Sequence, residues 1–311
     1  MEILIIGLGS IANKHVNAIR QIAPNAKIFA LRSGKKATSL SSITNIYSFD
    51  ELMRKPDFAI ISNPTNLHAE YIRELAMRNI PMMIEKPALH SLNDAESLLE
   101  TIKQNNSFTY VACNLRFHPC ILFLRNYLVT KHSKVNEVSV YCGSYLPDWR
   151  PNVNFKEVYS ANLEMGGGVH LDLIHELDYT TWLFGQPLQY IGFQSSVSTL
   201  QIDAPDYAHY LLNYGHFNVS VSLNYFRREP RRSVEIVFED ITLNADLINN
   251  NVVNGSGELL FEDVNFSVLD TYRLQMKYFI DKLSDHEPTM NTFEESLEVL
   301  KIALSHEPIS K

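Results

Sequence analysis

The chain has 311 residues, of which 45% are hydrophobic and 20% charged, and its formal net charge is −8. This composition excludes an intrinsically disordered, collagen-like or coiled-coil protein, and the acidic balance argues against general binding to a nucleic-acid backbone. At roughly 150 residues per domain, the length predicts about two domains.

The N-terminal part alternates predicted strands and helices. Apolar runs predict six strands, at residues 3–6, 27–31, 46–47, 58–61, 82–84 and 110–112, with helical patterns between them. Runs that are apolar throughout are typical of strands buried on both faces of a parallel sheet. Ser48, with Glu51 three residues later, predicts a capped helix start. This rhythm predicts a doubly wound, parallel α/β sheet of the Rossmann type.

A different rhythm begins near residues 117–121. Longer, partly alternating strands are predicted at 134–145, 187–199, 206–214, 217–225 and 233–244, and helices at 163–184, 269–284 and 292–305. We therefore predict a dinucleotide-binding domain at 1–120 and a substrate-binding and oligomerisation domain at 121–311. The second is predicted to be an α+β domain with a largely antiparallel, open sheet. Its last helices are free to pack back on the first domain.

Aromatic residues on two of these strands predict an oligomer. An antiparallel sheet with helices on one face leaves its other face open. The strands carry more aromatic residues than a hydrated face usually shows; they are Tyr207, Tyr210, Tyr214, Phe217 and Tyr225. We expect a homodimer or homotetramer joined through the open face.

The cysteines and the N-terminal sequence bear on location. There are three cysteines, Cys113, Cys120 and Cys142, and no two of them form a C-x-x-C pair. This odd number and this spacing favour neither a disulfide framework nor a zinc site. No basic segment precedes the first strand, and no apolar run approaches the ~18 residues of a membrane span. We expect a cytoplasmic protein without a metal site and without membrane or nucleic-acid partners.

A glycine motif follows the first strand directly. Gly7, Gly9 and Ala12 form G-x-G-x-x-A between a strand and a helix. The first glycine permits a tight turn, the second lets the backbone approach a pyrophosphate, and the alanine permits close helix packing. Backbone N–H groups at Ser10 and Ile11 would face the phosphates. The alternative is a glycine turn without a ligand.

The end of the second strand indicates which cofactor is bound. Folds that prefer NAD usually have an acidic residue there to bind the ribose 2′-hydroxyl. This chain has Arg32 and Ser33, with Lys35 and Lys36 nearby and no acid. We predict NADP(H) in preference to NAD(H). The alternative is that Arg32 stacks on adenine or is solvated.

Polar residues follow the fourth and fifth strands at the edge where ligands bind in such sheets. A charged pair, Glu85 and Lys86, follows the fifth strand. Lys86 is a candidate acid/base group, and the alternative for the pair is a surface ion pair. Thr65 could instead cap the next helix. Candidate cofactor contacts are Asn63, Pro64, Thr65 and His68 after the fourth strand, and Glu85 and Lys86 after the fifth.

The segment 165–178 combines glycines with titratable groups. Three glycines at 166–168 suit close approach to a ligand, and Asp172, His175 and Asp178 follow. On one helix, residues three apart share a face, so a carboxylate could tune the histidine for proton transfer. The alternative is a packed helix whose histidine is satisfied in the core.

Together these motifs resemble the Gfo/Idh/MocA oxidoreductases. The resemblance spans about residues 2–305 and rests on the order of several motifs. These are Gly7-x-Gly9-x-x-Ala12, Pro64 with His68, Glu85-Lys86-Pro87, Asn114-x-Arg116-Phe117-His118-Pro119 and Gly167-Gly168-x-x-x-Asp172-x-x-His175-x-x-Asp178. The resemblance implies a Rossmann domain, a second domain whose open sheet often carries the oligomer interface, and hydride transfer between a nicotinamide and a sugar or cyclitol carbinol.

The resemblance also implies residue roles. It places Lys86, Asp172 and His175 at the reacting carbon as catalytic residues. Many members space the aspartate and histidine by four residues, whereas this chain spaces them by three. We expect Asn114 and Arg116 to contact substrate.

A further stretch resembles a branch of the family associated with bacterial surface-glycan sugars; it comprises residues 145–151 and 159–161. Within it, Trp149 offers a stacking face for a sugar ring, and Arg150 a fork for a carboxylate or phosphate. A basic cluster at 226–232 could meet an anionic substrate such as a nucleotide-sugar. A solvated hairpin is the favoured interpretation of that cluster.

The leading hypothesis is a sugar, nucleotide-sugar or cyclitol dehydrogenase that uses NAD(P). A non-catalytic dinucleotide-binding regulator is the alternative from another class, because a fold does not determine function. Retention of Lys86, Asp172 and His175 together favours the enzyme. A third hypothesis keeps the fold but reduces an imine or a conjugated double bond.

Overall fold

The computed structural model describes residues 1–34 and 42–306. The chain divides into two compact units that are not contiguous in sequence. The first consists of Met1–Asn114 with Val268–Glu298, and the second of Leu115–Ser267 with the residues from Val299 onward. Within the described ranges, no helix is both long enough and apolar enough to cross a membrane.

The first unit contains a six-stranded sheet in which every pairing is parallel. Its spatial order is β3-β2-β1-β4-β5-β6. The strands are β1 (Glu2–Ile6), β2 (Lys27–Leu31), β3 (Ile43–Ile46), β4 (Phe58–Ile61), β5 (Met82–Glu85) and β6 (Thr109–Ala112). Every residue of β1, β4, β5 and β6 is buried, as expected for strands covered on both faces. The predicted doubly wound parallel sheet is confirmed.

The second unit contains an eight-stranded, mostly antiparallel sheet of order β14-β13-β12-β11-β7-β10-β9-β8. Only the pairing of β10 with β7 is parallel among the pairings described. The strands are β7 (Val135–Tyr145), β8 (Gln189–Ser195), β9 (Tyr207–Asn213), β10 (Asn218–Asn224), β11 (Phe226–Phe238), β12 (Thr242–Asp246), β13 (Asn251–Asn254) and β14 (Leu259–Glu262). The predicted α+β class of this half is confirmed.

The α-helices alternate with the strands in the first unit and are fewer in the second. They are α1 (Ser10–Ile22), α2 (His68–Met77), α3 (Ala95–Gln104), α4 (Pro119–Lys131), α5 (Val169–Asp172), α6 (His175–Phe184), α7 (Val268–Asp285) and α8 (Phe293–Leu304). Ser48 caps a 3₁₀ turn at Phe49–Glu51 as predicted, but the Glu51 carboxylate accepts from the Tyr47 N–H rather than from Ser48.

Helix α7 completes the core of the first unit from the far end of the chain. The Phe279 ring packs edge-on against Phe58, with centroids 5.0 Å apart, and lies 6.0 Å from the Tyr110 ring. Met276 and Phe279 are fully buried in this cluster. The Rossmann sheet therefore depends on a helix that follows the whole second sheet in sequence.

The second sheet alternates cleanly between a covered and an open face. Val140 and Val221 are fully or almost fully buried, whereas Ser139 and Ser222, their strand neighbours, are partly exposed. Tyr210 pairs with Val221 and is therefore on the covered face.

Four of the five aromatic residues predicted on the open face lie in the core, so that part of the prediction is wrong. Tyr210 and Tyr225 are completely buried, and Tyr214 and Phe217 nearly so. Only Tyr207 of the five predicted residues is partly exposed. The reason is the two-residue period of a strand, which places Tyr210 with the core residues and not with the open face.

Two predicted elements are each divided in the structure. The predicted helix at 163–184 starts only at Val169, because Gly166 and Gly168 have φ of +80° and +123°. It is also divided into α5 and α6. Asp172 closes α5 and His175 opens α6, so the two do not share one helix face. The strand predicted at 233–244 is the end of β11 and the start of β12, and the basic residues from Phe226 lie on β11, not in a hairpin.

Candidate active site

In the glycine turn after β1, there is no room for a side chain at Gly7, whereas there is room at Gly9. Gly7 has a φ of +81°, and a Cβ built on it would lie 2.8 Å from the Cα of Asn63. Both conformation and space therefore exclude a larger residue there. Gly9, the N-cap of α1, has a φ of −93°, and no described atom lies within 4 Å of an ideal Cβ. Space for a ligand remains at Gly9.

The first turn of α1 is suited to an anion. It contains no acidic residue, and no side chain in the described part of the chain caps it. The N–H groups of Ser10 and Ile11 lie at the positive end of the helix dipole, where a phosphate is favoured. Ala12 is fully buried and allows α1 to pack closely on the sheet.

The Asn63 amide places an unsatisfied polar group beside that turn. Its Oδ1 and Nδ2 are buried and have no hydrogen-bond partner among the described residues. A buried amide without partners is costly, so this position favours a ligand that supplies them. The Ser62 hydroxyl holds the loop, lying 3.1 Å from the Ile6 carbonyl oxygen and 3.0 Å from that of Gly7. These residues fit a dinucleotide.

Arg32 and Ser33 border a cavity of about 400 Å³ at the end of β2. Arg32 is partly exposed and Ser33 exposed. Lys35 and Lys36, named with them in the cofactor prediction, lie outside the described residues. The cavity also has carboxylates on its walls, from Asp50, Glu70 and Glu74. These acids come from other elements than the end of β2, on which the prediction of NADP(H) rests.

His68 holds two loops together at this edge. It is 1% exposed, with Nδ1 3.2 Å from the Ala88 carbonyl oxygen and Nε2 3.0 Å from that of Asn63. Burial lowers the pKa of His68, and the neutral ring donates to one of these carbonyls at a time. With both ring nitrogens at backbone carbonyls, His68 is better placed to hold these loops than to make the predicted direct contact with the cofactor. Exposed Pro64 leads into a 3₁₀ turn, in which Thr65 is buried and makes no side-chain capping bond.

Glu85 is part of a buried pair and not of a surface ion pair. Its Oε1 lies 2.5 Å from Nε2 of His15, which is fully buried on α1, and its Oε2 accepts from the Lys86 N–H at 3.2 Å. Burial alone would raise the pKa of the Glu85 carboxyl, but the hydrogen bond and charge of His15 and the charge of Lys86 lower it. Lys86 is half-buried at the end of β5.

Asn114 and Arg116, predicted to contact substrate, are engaged inside the protein. The Asn114 amide donates to the Thr271 hydroxyl at 2.6 Å. Arg116 forms a two-point ion pair with Asp178, with nitrogen–oxygen distances of 2.9 and 2.6 Å, and both side chains are almost fully buried. This environment favours a structural role for Arg116.

Asp172 is held by a tyrosine from the second sheet. The Tyr225 hydroxyl donates to Oδ2 of Asp172 at 2.5 Å, and Tyr225 is completely buried. Burial, followed by the charge of Asp172, raises the pKa of Tyr225, so the phenol keeps its proton. His170, two residues before Asp172, is buried, and burial lowers its pKa to about 4.

Trp149 adjoins this pair. Its ring packs edge-on against Tyr225, with centroids 5.3 Å apart, and its indole N–H donates to the Ser144 hydroxyl at 2.8 Å. Trp149 is 37% exposed, so part of its ring is available for stacking. Arg150 is exposed beside it. The second unit thus brings Asp172, Tyr225 and Trp149 together.

Two residues of these sites escaped the sequence argument. His15 lies three residues after Ala12, on the same face of α1, and this spacing was the available signal. Tyr225 offered none, because its bond to Asp172 joins distant segments. Among the residues in ranges 1–34 and 42–306, no group of three or more histidines, cysteines or acids could hold a metal ion.

Comparisons with known proteins agree with the fold. A family model described as an oxidoreductase family with an NAD-binding Rossmann fold matches residues 1–113. The uncharacterized oxidoreductase YrbE of Bacillus subtilis is 26% identical over 192 residues, which are 58% of this chain and 53% of that protein. The chain spans about half the length of the curated relatives it matches.

Two solved structures are similar over nearly the whole chain. The UDP-N-acetylglucosamine 3-dehydrogenase GnnA of Acidithiobacillus ferrooxidans has a TM-score of 0.79 at 20% identity, covering 98% of this chain and 95% of its own. The WlbA dehydrogenase of Bordetella pertussis, in complex with NADH and UDP-GlcNAcA, has a TM-score of 0.78 at 15% identity, covering 96% and 92%. These likenesses show the fold.

The two glycines give a matched pair of substitutions. Gly9→Ala should leave the thermal unfolding temperature close to wild type, because its Cβ meets no protein atom, but should weaken NADPH binding at least about tenfold by filling the ligand space. Gly7→Ala should instead lower the free energy of unfolding, by about 1–3 kcal/mol for the left-handed conformation alone. Fluorescence titration and thermal unfolding measure the two effects, and unchanged NADPH affinity in Gly9→Ala would contradict the site.

Proposed function

We propose that the chain, whose residues 1–113 match the model of the Gfo/Idh/MocA oxidoreductase family, is an NAD(P)-dependent dehydrogenase or reductase of that family. The reaction is hydride transfer between the nicotinamide and the CH–OH carbon of a sugar, nucleotide-sugar or cyclitol, in bacterial surface-polysaccharide synthesis. The observation that carries the proposal is the sheet edge of the first unit. There the open Gly9 turn, the unpartnered Asn63 amide and Lys86 follow neighbouring strands.

The proposed catalytic residues are Lys86, Asp172 and His175. The bound nicotinamide supplies or accepts the hydride. A proton must then move at the oxygen on the reacting carbon, and a positioned acid/base group contributes about 10²–10⁴-fold to such a step. We assign that proton to His175, and to Lys86 the task of orienting the oxygen and stabilising its developing charge. Tyr225 keeps the Asp172 carboxylate in place.

Removing the Lys86 ammonium tests the chemistry. Lys86→Met should lower kcat by at least ~10², while NADPH affinity stays within a few-fold, because Lys86 is assigned to the reacting oxygen and not to the phosphates. Steady-state absorbance at the NADPH band measures kcat on a substrate found by screening sugars and nucleotide-sugars. Lys103→Met, which breaks an exposed ion pair with Glu294, is the control. Near wild-type turnover by Lys86→Met would make the lysine structural.

The proposed cofactor is NADP(H) in preference to NAD(H), on the basis of Arg32 and Ser33. A charge-assisted contact with the 2′-phosphate is worth roughly 1.5–3 kcal/mol, so Arg32→Ala should reduce the preference at least about tenfold. Arg78→Ala is the control, because Arg78 lines the same cavity but is paired with Glu74. Fluorescence titration with both cofactors measures the ratio. Tighter binding of NAD(H) by the wild type would refute the preference and point to the cavity acids.

We also propose a cytoplasmic homodimer or homotetramer joined through the open face of the second sheet. The support is a set of partly exposed apolar side chains on β8 and β9, namely Ile191, Phe193, Tyr207 and Leu211. Light scattering should give a multiple of the 35.6 kDa chain mass, and Leu211→Glu should shift it toward the monomer. A monomer mass for the wild type at micromolar concentration would exclude the assembly.

A further inference from the structure

The carboxylate of Glu85 lies between two parts of the first unit to which the proposed function gives different tasks. Its Oε1 lies 2.5 Å from Nε2 of His15 on α1, and its Oε2 accepts from the Lys86 N–H at 3.2 Å. Helix α1 begins in the glycine turn that is proposed to receive the cofactor phosphates, and Lys86 is proposed to act at the reacting oxygen. Glu85 therefore connects these two parts through one side chain.

The contact between Glu85 and His15 is buried and has a defined direction. His15 is fully buried and Glu85 is 7% exposed. Burial alone would raise the pKa of Glu85, but the hydrogen bond and charge of His15 and the charge of Lys86 lower it, so the group is a carboxylate. A carboxylate only accepts, and Nε2 of His15 consequently donates. Such a charge-assisted hydrogen bond is stronger in the interior than at the surface.

The other nitrogen of the His15 ring shows that packing is not its main task. Nδ1 is buried and has no hydrogen-bond partner among the described residues. Tyr272 packs edge-on against the ring, with centroids 5.8 Å apart, which limits its tilt but satisfies no nitrogen. Leaving a buried polar atom without a partner costs stability, so an apolar residue would fill this space at lower cost. The contact with Glu85 is therefore the feature that distinguishes histidine at this position.

Helix α1 carries His15 as a rigid link from the glycine turn. His15 follows Ser10 by five residues, which is a rise of about 7.5 Å along the helix axis. Buried Ala12 lies between them and packs α1 closely on the sheet. Because hydrogen-bonded helical turns move together, a ligand that fixes the first turn also fixes His15.

The position of the Lys86 ammonium is sensitive to the backbone that Glu85 holds. The ammonium lies at the end of a flexible four-carbon chain, so a small rotation of the Lys86 peptide displaces it by a larger distance. A misplacement of about 1 Å at a reacting centre can cost about 10²-fold in rate. Lys86 is half-buried at the end of β5, where the Glu85 carboxylate accepts from its N–H. The carboxylate is thus placed to restrict that rotation.

We propose that His15 is a positioning residue, which by donating to Glu85 fixes the Lys86 backbone relative to the turn that receives the cofactor phosphates. The inference rests on the proposed function and adds to it a residue that acts only through Glu85. The competing explanation is that His15 contributes to stability alone. The two differ in one respect, since a stabilising contact can be replaced by an uncharged pair of side chains, whereas a positioning contact cannot.

Acetylation of lysine amines by acetic anhydride, measured by peptide mass spectrometry, tests the position of Lys86 without a sugar substrate. Exposed Lys55 is the internal reference. In the wild type, saturating NADPH should slow the labelling of Lys86 at least about fivefold relative to Lys55, because the bound cofactor covers it. His15→Leu should reduce this protection to less than about twofold at saturating NADPH. His15→Gln, which keeps an N–H donor for Glu85, should retain it.

A double variant separates positioning from stability. His15→Leu leaves a buried carboxylate without its partner and should lower the thermal unfolding temperature. His15→Leu combined with Glu85→Gln removes that charge, so the unfolding temperature should return toward wild type while the protection of Lys86 stays lost. Asn17→Leu introduces the same side chain at an exposed position of α1 and should change neither measurement.

Fluorescence titration establishes NADPH saturation for each variant before labelling. Wild-type protection of Lys86 in the double variant would overturn the positioning role and make His15 structural. Loss of protection in His15→Gln would also overturn it, since the donor to Glu85 would then not be what matters. So would a folded double variant that no longer binds NADPH, because His15 would then act on the cofactor turn itself. Absence of protection in the wild type with NADPH bound would instead overturn the proposed function at Lys86.

Discussion

The buried contact between His15 and Glu85 connects the helix after the glycine turn to the strand that ends at Lys86. His15 is carried by α1, whose first turn is suited to phosphate, and Glu85 ends β5 directly before Lys86. Removing the imidazole would leave a buried carboxylate without its partner, which is far more costly than losing an exposed ion pair. Tyr272 of α7 packs edge-on against His15, so the late helix also covers this contact. The position of Lys86 thus depends on α1, β5 and α7 together.

In the second unit, too, charged side chains are held by partners from distant elements, here along residues 172–178. Three of its carboxylates are each held by a residue from a distant element: Asp172 by Tyr225, Glu176 by Arg232 and Asp178 by Arg116. The Arg116–Asp178 pair is buried, and in the other the fully buried Glu176 meets a partly exposed Arg232. Buried pairs are favourable only with good geometry and further hydrogen bonds. The acidic residues around His175 therefore anchor the α5–α6 segment to the rest of the unit. His175 begins α6 between the first two anchors, and its backbone position is accordingly restricted.

Features that depend on neighbouring residues could be predicted from the sequence, whereas features that depend on contacts between distant residues could not. Strands β1, β4 and β5 were predictable because burial on both faces leaves unbroken apolar runs, and the glycine turn because its spacing is a backbone requirement. The break between α5 and α6 was not, since helical periodicity continues through it. The membership of α7 in the first unit and the bond from Tyr225 to Asp172 join residues far apart in sequence. Neither local periodicity nor propensity carries information about such pairs.

The two units present different kinds of groups to an anion. The first offers backbone N–H groups and a helix dipole, which bind phosphate without formal charge, and its adjacent cavity contains acids as well as Arg32. The second carries three guanidinium groups stacked on tyrosine rings, those of Arg227, Arg228 and Arg231, with Glu229 in the same segment, and none of the three forms an ion pair within the described chain. Net charge therefore says little about where a chain of this kind can hold an anion, because the local potential differs from one part of the surface to another.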